Sequence, residues 1–234
     1  MTMLSEKLLR WQFRDGGGPS YSQSGEDRII KFILDVLGVE SPSYLDIGAH
    51  HPVHLNNTYL FYQNGCHGVC VEPNPRLFAS LQDARPKDVC LNVGVGGVRQ
   101  EAVPFYEMSS DTLSTFSEAE ARHYVEEHGK QIVRVANVDV VTPEEIIARH
   151  FQGQPDFVSL DVEGLELEIL KAFDLTGVRP AVFCVESITY ATDGSGKKRT
   201  EVIENLSMAG YMVYADTYIN TILVDRKRWV RGSL

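Results

Sequence analysis

Short apolar runs alternate along most of the chain with stretches whose apolar residues recur at helical spacing. The apolar runs predict strands at residues 43–47, 68–72, 89–93, 157–161 and 181–186. Helices are predicted between and after them, around 57–64, 75–84, 165–173 and 199–209. Repeated strand–helix units of this kind predict a parallel sheet with helices on both faces.

The two ends of this pattern add a helix and a hairpin. Before the first strand, Ile30, Ile33 and Leu34 recur at helical spacing, and Ser24 with Asp27 predicts a capping box at the start of that helix. After the last helix, strands are predicted at 211–216 and 221–225. Because only a short turn joins them, they must be antiparallel. The expected fold is α/β and Rossmann-like, with a mostly parallel sheet and a C-terminal antiparallel hairpin.

The domain organisation follows from two places where the strand–helix pattern is interrupted. Three glycines and a proline at 16–19 end any helix, so residues 1–20 are predicted to be a flexible leader and residues 21–234 a single domain. Residues 101–150 break the alternation with strands at 101–107 and 131–139 and helices at 118–128 and 143–150. Insertions of this kind usually build the substrate side of an α/β site.

Composition limits the class of protein. The chain has 234 residues, 43% of them hydrophobic, and a net charge of -10. The acidic balance argues against nucleic acid and against an anionic membrane surface as partners. The four cysteines form no C-x-x-C pair, and there is no apolar run of about 18 residues. We therefore expect an intracellular, cytoplasmic protein with free thiols.

Polar residues terminate all five predicted parallel strands, and four of these residues are acids. Because parallel strands bring their carboxyl ends to one edge of the sheet, these side chains are expected to meet there. Like charges at one edge repel each other unless a cation or cationic ligand lies among them. The residues are Asp46, Glu72, Asn92, Asp161 and Glu186.

Gly48 and Glu72 together predict a site for an adenosine-bearing cofactor. A glycine lets the backbone approach the ligand, and an acid at the end of the next strand can bind both ribose hydroxyls. Only one glycine of the G-x-G-x-x-G fingerprint is present, so a dinucleotide site is disfavoured. S-adenosylmethionine fits better, because it has no phosphates and carries a cationic sulfonium.

Each of these residues also has a purely structural interpretation. Gly48 could belong to a plain tight turn, Glu72 to a cap on the turn at 73–75, and Asn92 to a loop. Residues 161–164 could cap the following helix with acids against its dipole. His51 could accept a proton or simply fill a turn.

Six segments carry a resemblance to a known family. They read YSQSGED at 21–27, DIGAHHP at 46–52, NTY at 57–59, EPNP at 72–75, LSTF at 113–116 and DVEG at 161–164. In order and spacing, the run from residue 21 to about 224 resembles the FkbM family of S-adenosylmethionine-dependent methyltransferases. The resemblance implies the class I methyltransferase fold and transfer of a methyl group to an oxygen of a sugar, a glycan or a related natural product.

The resemblance also implies roles for individual residues. Those expected to bind the cofactor are Gln23, Glu26, Asp46, Gly48, Ala49, His50, Thr58, Glu72, Asn74 and Asn92. Many relatives carry asparagine and glycine where this chain has His50 and Pro52. Since proline has no backbone N–H, Gln23 or Thr58 is expected to hold the cofactor's carboxylate instead.

Three residues are candidates for lowering the proton affinity of the acceptor hydroxyl, namely Asp161, Glu163 and His51. Asp161 and Glu186 end adjacent strands, so a magnesium ion between them is a second route. The expected partner is a small molecule or a glycan, and the sequence leaves the oligomeric state open. A nicotinamide-dependent oxidoreductase and a catalytically inert partner module remain as alternatives.

Overall fold

The structure is a computed structural model that describes residues 18–189 and 196–232. Most of the predicted leader therefore lies outside the described residues. The strands are β1 Tyr44–Ile47, β2 Gly68–Val71, β3 Val89–Leu91, β4 Gly94–Val95, β5 Gln100–Met108, β6 Ile132–Val141, β7 Phe157–Leu160, β8 Val182–Glu186, β9 Tyr211–Asp216 and β10 Asn220–Asp225. The helices are α1 Glu26–Val36, α2 Tyr59–Gln63, α3 Pro75–Ala84, α4 Glu118–His128, α5 Pro143–His150, α6 Glu166–Ala172, α7 Thr200–Met208 and α8 Arg226–Gly232, with a 3-10 turn at Asp111–Leu113.

Seven strands form the main sheet in the order β3-β2-β1-β7-β8-β10-β9. The first five are parallel, and β10 is antiparallel to both of its neighbours. This arrangement confirms the predicted Rossmann-like fold, including the C-terminal hairpin. It also brings the carboxyl ends of β1, β2, β7 and β8 to one edge.

Helices cover both faces of the main sheet, so its central strands are buried on both sides. Successive residues alternate between two apolar cores: Tyr44 and Phe157 pack on one face, and Leu45 and Val158 on the other. All four residues of β1 and of β7 are buried. Strands buried on both faces read as continuous apolar runs, which is why the sequence pattern located them.

The insertion and the short strand β4 that precedes it form a second, three-stranded sheet in the order β4-β6-β5. Its two long strands are antiparallel, whereas β4 pairs with β6 in parallel. The strands and helices predicted within 101–150 are confirmed, but neither β4 nor the separate sheet was predicted. A turn from this sheet, residues 111–116, extends to the edge where the strand-end acids lie.

The predicted capping box of α1 is wrong. Gly25 is the N-cap, with φ of 90° and no side-chain cap. Asp27 instead accepts hydrogen bonds from Ser20 Oγ at 2.7 Å, Ser22 Oγ at 3.0 Å and the Tyr21 backbone N–H at 2.7 Å. These bonds hold the preceding segment across the start of the helix and so place Gln23 beside the sheet edge.

Every helix in the described part of the chain is too short or too polar to cross a lipid bilayer.

Candidate active site

A cavity of about 490 Å³ opens at the carboxyl ends of the parallel strands. Side chains from the ends of β1, β2, β7 and β8 form its floor, while the turn at 111–116 and the hairpin turn at 218–219 form its walls. Several of the residues predicted for the site line it: Gln23, Gly48, His50, Glu72, Asp161, Glu163 and Glu186.

Gly48 forms the tight turn predicted after β1. Its φ is +80°, and a Cβ at this position would lie 1.7 Å from the backbone oxygen of Asp161. Only glycine fits such a close approach in this backbone region. The N–H groups of Gly48 and Ala49 both donate to Val71 O at 3.0 Å, which fixes the turn against β2. Ala49 itself is buried in the core rather than exposed to the cavity.

Glu72 lies at the end of β2 and is 5% exposed. Its two carboxylate oxygens accept the backbone N–H groups of His50 at 2.9 Å and Asn74 at 2.8 Å. A carboxylate has about four lone-pair sites, so each oxygen can accept one more hydrogen bond from the cavity. Burial raises the pKa of Glu72 to about 7, although the two backbone hydrogen bonds oppose this rise.

His50 contributes a buried polar atom that lacks a partner. Among the described residues, nothing hydrogen-bonds to its Nε2. Burial is the main cause that lowers the pKa of this imidazole, which favours the neutral ring. Because buried polar atoms are usually hydrogen-bonded in native proteins, Nε2 marks a position where a ligand could supply a partner.

Asp161, Glu163 and Glu186 form what we call the acid cluster. They offer carboxylate oxygens that lie within 4.8 Å of one another. None of the three carboxylates forms a hydrogen bond or an ion pair with the described residues, and Glu186 is only 9% exposed. Three such groups repel one another and are costly to ionise together.

The pKa values of the acid cluster reflect this crowding. Burial is the largest cause at all three residues, and repulsion from Glu166 adds to it at each. Repulsion from Asp161 also raises the pKa of Glu163 and Glu186, whereas Asp46 and Glu26 raise that of Asp161. The pKa rises to about 7 for Asp161, about 9 for Glu163 and about 10 for Glu186, where the nearby Arg199 opposes the rise. At neutral pH, Glu163 and Glu186 therefore hold protons, and Asp161 is partly ionised.

The backbone at the acid cluster is strained. Glu163 has φ of 54°, in the left-handed region that non-glycine residues seldom adopt. This conformation costs about 1 kcal/mol for an L-residue. Strain of this kind persists only where the surroundings enforce it, and it often occurs at functional sites.

The donor set of the acid cluster suits a hard divalent cation. Magnesium prefers carboxylate oxygens and retains several waters. Three unpartnered carboxylates that face one another at the side of a cavity meet this preference. Asp161 and Glu186 thus come together as the sequence predicted, and Glu163 joins them.

Several residues predicted to bind the cofactor lie away from the cavity, where other groups already bond to them. Asp46 is buried and accepts hydrogen bonds from Thr58 Oγ1 at 2.7 Å and Asn56 Nδ2 at 3.3 Å. Glu26 accepts hydrogen bonds from Thr217 Oγ1 at 2.6 Å and Asn220 Nδ2 at 3.1 Å. In the structure these acids connect loops to one another.

Three further candidates support the site indirectly. Asn74 caps α3 through its side-chain oxygen. Asn92 donates to the backbone oxygens of Glu72 and Pro73, both at 2.9 Å. The Nδ1 of His51 accepts the N–H groups of two residues in its own turn, Val53 at 3.1 Å and His54 at 2.9 Å, and His51 is not among the residues that line the cavity.

Much of the cavity wall was not predicted from the sequence. The missed residues include Leu55, Phe105, Asp111, Phe116, Ile188 and Tyr218. Most come from the second sheet and the C-terminal hairpin, which approach the edge only in the folded chain. The LSTF segment at 113–116 could have indicated part of this wall, because it belongs to the family resemblance, but no role was assigned to it.

Comparisons with known proteins matched one family model and several solved structures. A family model described as "Methyltransferase FkbM domain" matches residues 46–213. A comparison with curated protein sequences found no significant match. Among solved structures, a TehB-like SAM-dependent methyltransferase from Corynebacterium glutamicum is 11% identical, with 95% of this chain and 98% of that chain covered and a TM-score of 0.44.

Two other solved structures are similar to the same extent. An O-methyltransferase from Bacillus cereus in complex with SAH is 11% identical, covers 94% of this chain and 90% of its own, and has a TM-score of 0.44. The magnesium protoporphyrin IX methyltransferase from Synechocystis with bound SAH is 10% identical, with 94% and 93% covered and a TM-score of 0.43.

Proposed function

Because the chain belongs to the FkbM methyltransferase family, we propose that it is an S-adenosylmethionine-dependent O-methyltransferase whose acceptor is a hydroxyl of a sugar, a glycan or a related natural product. The observation that carries this proposal is that one cavity brings together the glycine turn at Gly48, the strand-end acid Glu72 and the acid cluster.

The cofactor would lie across the ends of β1 and β2. Its ribose hydroxyls would donate to the two Glu72 oxygens, which keep free lone pairs beside the backbone N–H groups they already accept. The turn at Gly48 would let the methionine part approach the backbone. Asp161 is the member of the acid cluster that is partly ionised at neutral pH. Its negative charge would favour the cationic sulfonium over the neutral thioether product.

The chemical step needs few protein groups. The acceptor oxygen forms a bond to the methyl carbon, the carbon–sulfur bond breaks, and its electron pair remains on sulfur in S-adenosylhomocysteine. The hydroxyl proton passes to the carboxylate of Asp161, because Glu163, with a pKa of about 9, already holds a proton at neutral pH. A pKa of about 7 makes Asp161 a stronger base than an ordinary carboxylate while it is still partly ionised at neutral pH.

A magnesium ion is the second route to the same result. Asp161, Glu163 and Glu186 would hold it. When bound, such an ion supplies positive charge that lowers the pKa of a nearby hydroxyl.

The electrostatics of the cavity narrow the class of acceptor. Its described lining residues include acids at Glu72, Asp111 and the acid cluster, and no lysine or arginine. Asp111 is already paired with Arg76, so a phosphate or carboxylate on the acceptor would face Glu72 and the acid cluster with no lysine or arginine in the described lining. Uncharged and amine-bearing hydroxyl compounds fit better.

The net charge and the cysteines bear on other partners and on location. A net charge of -10 disfavours nucleic acid. The four cysteines, Cys66, Cys70, Cys90 and Cys184, are free, which fits a reducing compartment such as the cytoplasm.

Isothermal titration calorimetry with S-adenosylhomocysteine, S-adenosylmethionine and NAD in parallel tests the cofactor. We expect saturable binding of the first two and none of NAD. Binding of NAD alone would contradict the proposal and favour an oxidoreductase, and binding of none of them would favour an inert module.

Methyl transfer from radiolabelled S-adenosylmethionine to matched sugars tests the acceptor. The series consists of a neutral hexose, its 2-amino derivative and its 6-phosphate. We expect transfer to the first two to exceed transfer to the phosphate, and preference for the phosphate would overturn the charge argument. EDTA separates the two routes for the proton, since only a metal route loses activity and regains it with magnesium.

A further inference from the structure

Glu166, the first residue of α6, is completely buried and does not line the cavity. One of its oxygens, Oε1, accepts the backbone N–H of Val162 at 3.0 Å and that of Gly164 at 3.2 Å. The other oxygen accepts from the Nη1 of Arg199. Both oxygens therefore serve the turn that carries Glu163.

Arg199 connects this turn to the end of β8. Its Nη2 donates to the Gly164 backbone oxygen at 3.0 Å. Its backbone N–H donates at 2.8 Å to the oxygen of Ser187, which directly follows Glu186 in the chain. Both segments that supply glutamates to the acid cluster are thus bound to one arginine.

The turn needs such support. Glu163 and Gly164 both have positive φ, at 54° and 117°. The three carboxylates of the acid cluster repel one another, and none has a hydrogen-bond partner in the described chain that would hold it in place. Without outside contacts, the turn would relax and Glu163 would move away from Asp161.

We propose that Glu166 and Arg199 are positioning residues that hold the turn at 162–164 so that the Glu163 carboxylate stays in the acid cluster. This inference rests on the proposed function, in which the acid cluster faces the methyl acceptor. Neither residue touches the reacting atoms. A competing view is that the pair is an ordinary buried ion pair, which would affect stability alone.

The test uses the conservative variants Arg199→Lys and Glu166→Gln, with Arg179→Lys as a matched control. Arg179 also pairs with a nearly buried acid, Asp225, at 3.2 Å. Its other side-chain hydrogen bonds in the described chain go to the backbone oxygens of Leu175 and Ala209, away from the turn at 162–164. Each variant is measured for thermal stability, for S-adenosylhomocysteine affinity and for kcat and KM with the best sugar of the series above.

We expect Arg199→Lys to lower kcat at least about 10-fold, with KM and S-adenosylhomocysteine affinity within about 3-fold of the wild type, as for loss of an interaction used in the transition state. Arg179→Lys should keep its kcat even if its melting temperature falls equally. Equal kcat losses in both variants, or an unchanged kcat in Arg199→Lys, would overturn the proposal.

Amide hydrogen exchange supplies a readout that needs no acceptor. In Arg199→Lys, exchange at Val162 and Gly164 should quicken at least about 10-fold while the central strands keep their protection. Unchanged exchange at these amides would contradict the proposal even if the protein proves to have another function. If Glu166→Gln does not fold, Arg199→Lys still decides the question.

Discussion

Asp46 lies within β1 and Asp161 directly follows the neighbouring strand β7, and the two acids differ in their surroundings. Asp46 is buried, accepts hydrogen bonds from Thr58 and Asn56, and lies in a network with Arg85. Asp161 has no hydrogen-bond partner among the described side chains and faces the cavity with Glu163 and Glu186. A buried acid with partners supports the fold, whereas an acid cluster without them indicates where a ligand and its chemistry belong.

The largest expected effect comes from breaking the network around Asp46. Arg85 is completely buried and donates to Asp88 Oδ2 at 2.8 Å, Thr58 Oγ1 at 2.9 Å and Tyr44 Oη at 3.0 Å. Arg85→Met leaves Asp88 and Asp46 buried without their cation, which costs about 3–5 kcal/mol. For a chain of this size, thermal unfolding should occur about 10 °C lower.

This variant should still bind S-adenosylhomocysteine below its unfolding temperature, because no contact of Arg85 reaches the cavity. An unchanged melting temperature would show that the network contributes little to stability.

The next effect concerns Glu72, which lines the cavity as the acid cluster does but, like Asp46, has hydrogen-bond partners. Its carboxylate must be ionised to accept both ribose hydroxyls, and its pKa is about 7 in the free protein. S-adenosylhomocysteine should therefore bind about 10-fold more weakly at pH 6 than at pH 8. Calorimetry at the two pH values measures this difference directly.

Two variants identify the group responsible for this pH dependence. Glu72→Gln should bind at least about 10-fold more weakly at pH 8, from the loss of a charge-assisted pair of hydrogen bonds, and its affinity should no longer change with pH. Asp161→Asn should keep the pH dependence of the wild type. If Asp161→Asn lost the pH dependence and Glu72→Gln kept it, the group that titrates would be Asp161.

The smallest effect is a gain in stability. The pKa of Glu163 is about 9 in the folded chain, well above the usual value of about 4.3 for an unfolded chain. The folded chain thus binds this proton more tightly, and stability must fall as pH rises between those two values. Glu163→Gln removes this loss. After solvent screening, we expect a gain of about 1 kcal/mol in the free energy of unfolding, which should raise the melting temperature at pH 8.5 by about 2–4 °C.

Melting temperatures of the wild type and Glu163→Gln from pH 6 to 9 check this prediction. The wild-type curve should fall more steeply with pH. Parallel curves would mean that Glu163 does not titrate as a member of the acid cluster.

The fold was largely predictable because its central strands are buried on both faces. Each such strand reads as an apolar run, so the prediction of 157–161 differs from the observed Phe157–Leu160 by one residue. The resemblance to the FkbM family is confirmed by the match over residues 46–213. The three-stranded sheet was not foreseen, since β4 pairs with β6 about 46 residues away and nothing local specifies that pairing.

The acid-lined edge was also predictable, because strand order alone gathers those side chains. The sequence could not separate acids with partners from acids without them. Glu26 finds its partners at Thr217 and Asn220, 191 and 194 residues along the chain. Asp46 likewise depends on a loop that folds back over β1. These assignments need the tertiary structure.

The most direct test compares Asp161→Asn with Asp46→Asn in methyl transfer to the same acceptor. The proposed function predicts that Asp161→Asn loses at least about 100-fold in kcat, the usual scale of a general base, while its S-adenosylhomocysteine affinity stays within a few-fold. Asp46→Asn should lose stability and keep most of its kcat. Full activity in Asp161→Asn, or the larger kcat loss in a folded Asp46→Asn, would contradict the assignment of chemistry to the acid cluster.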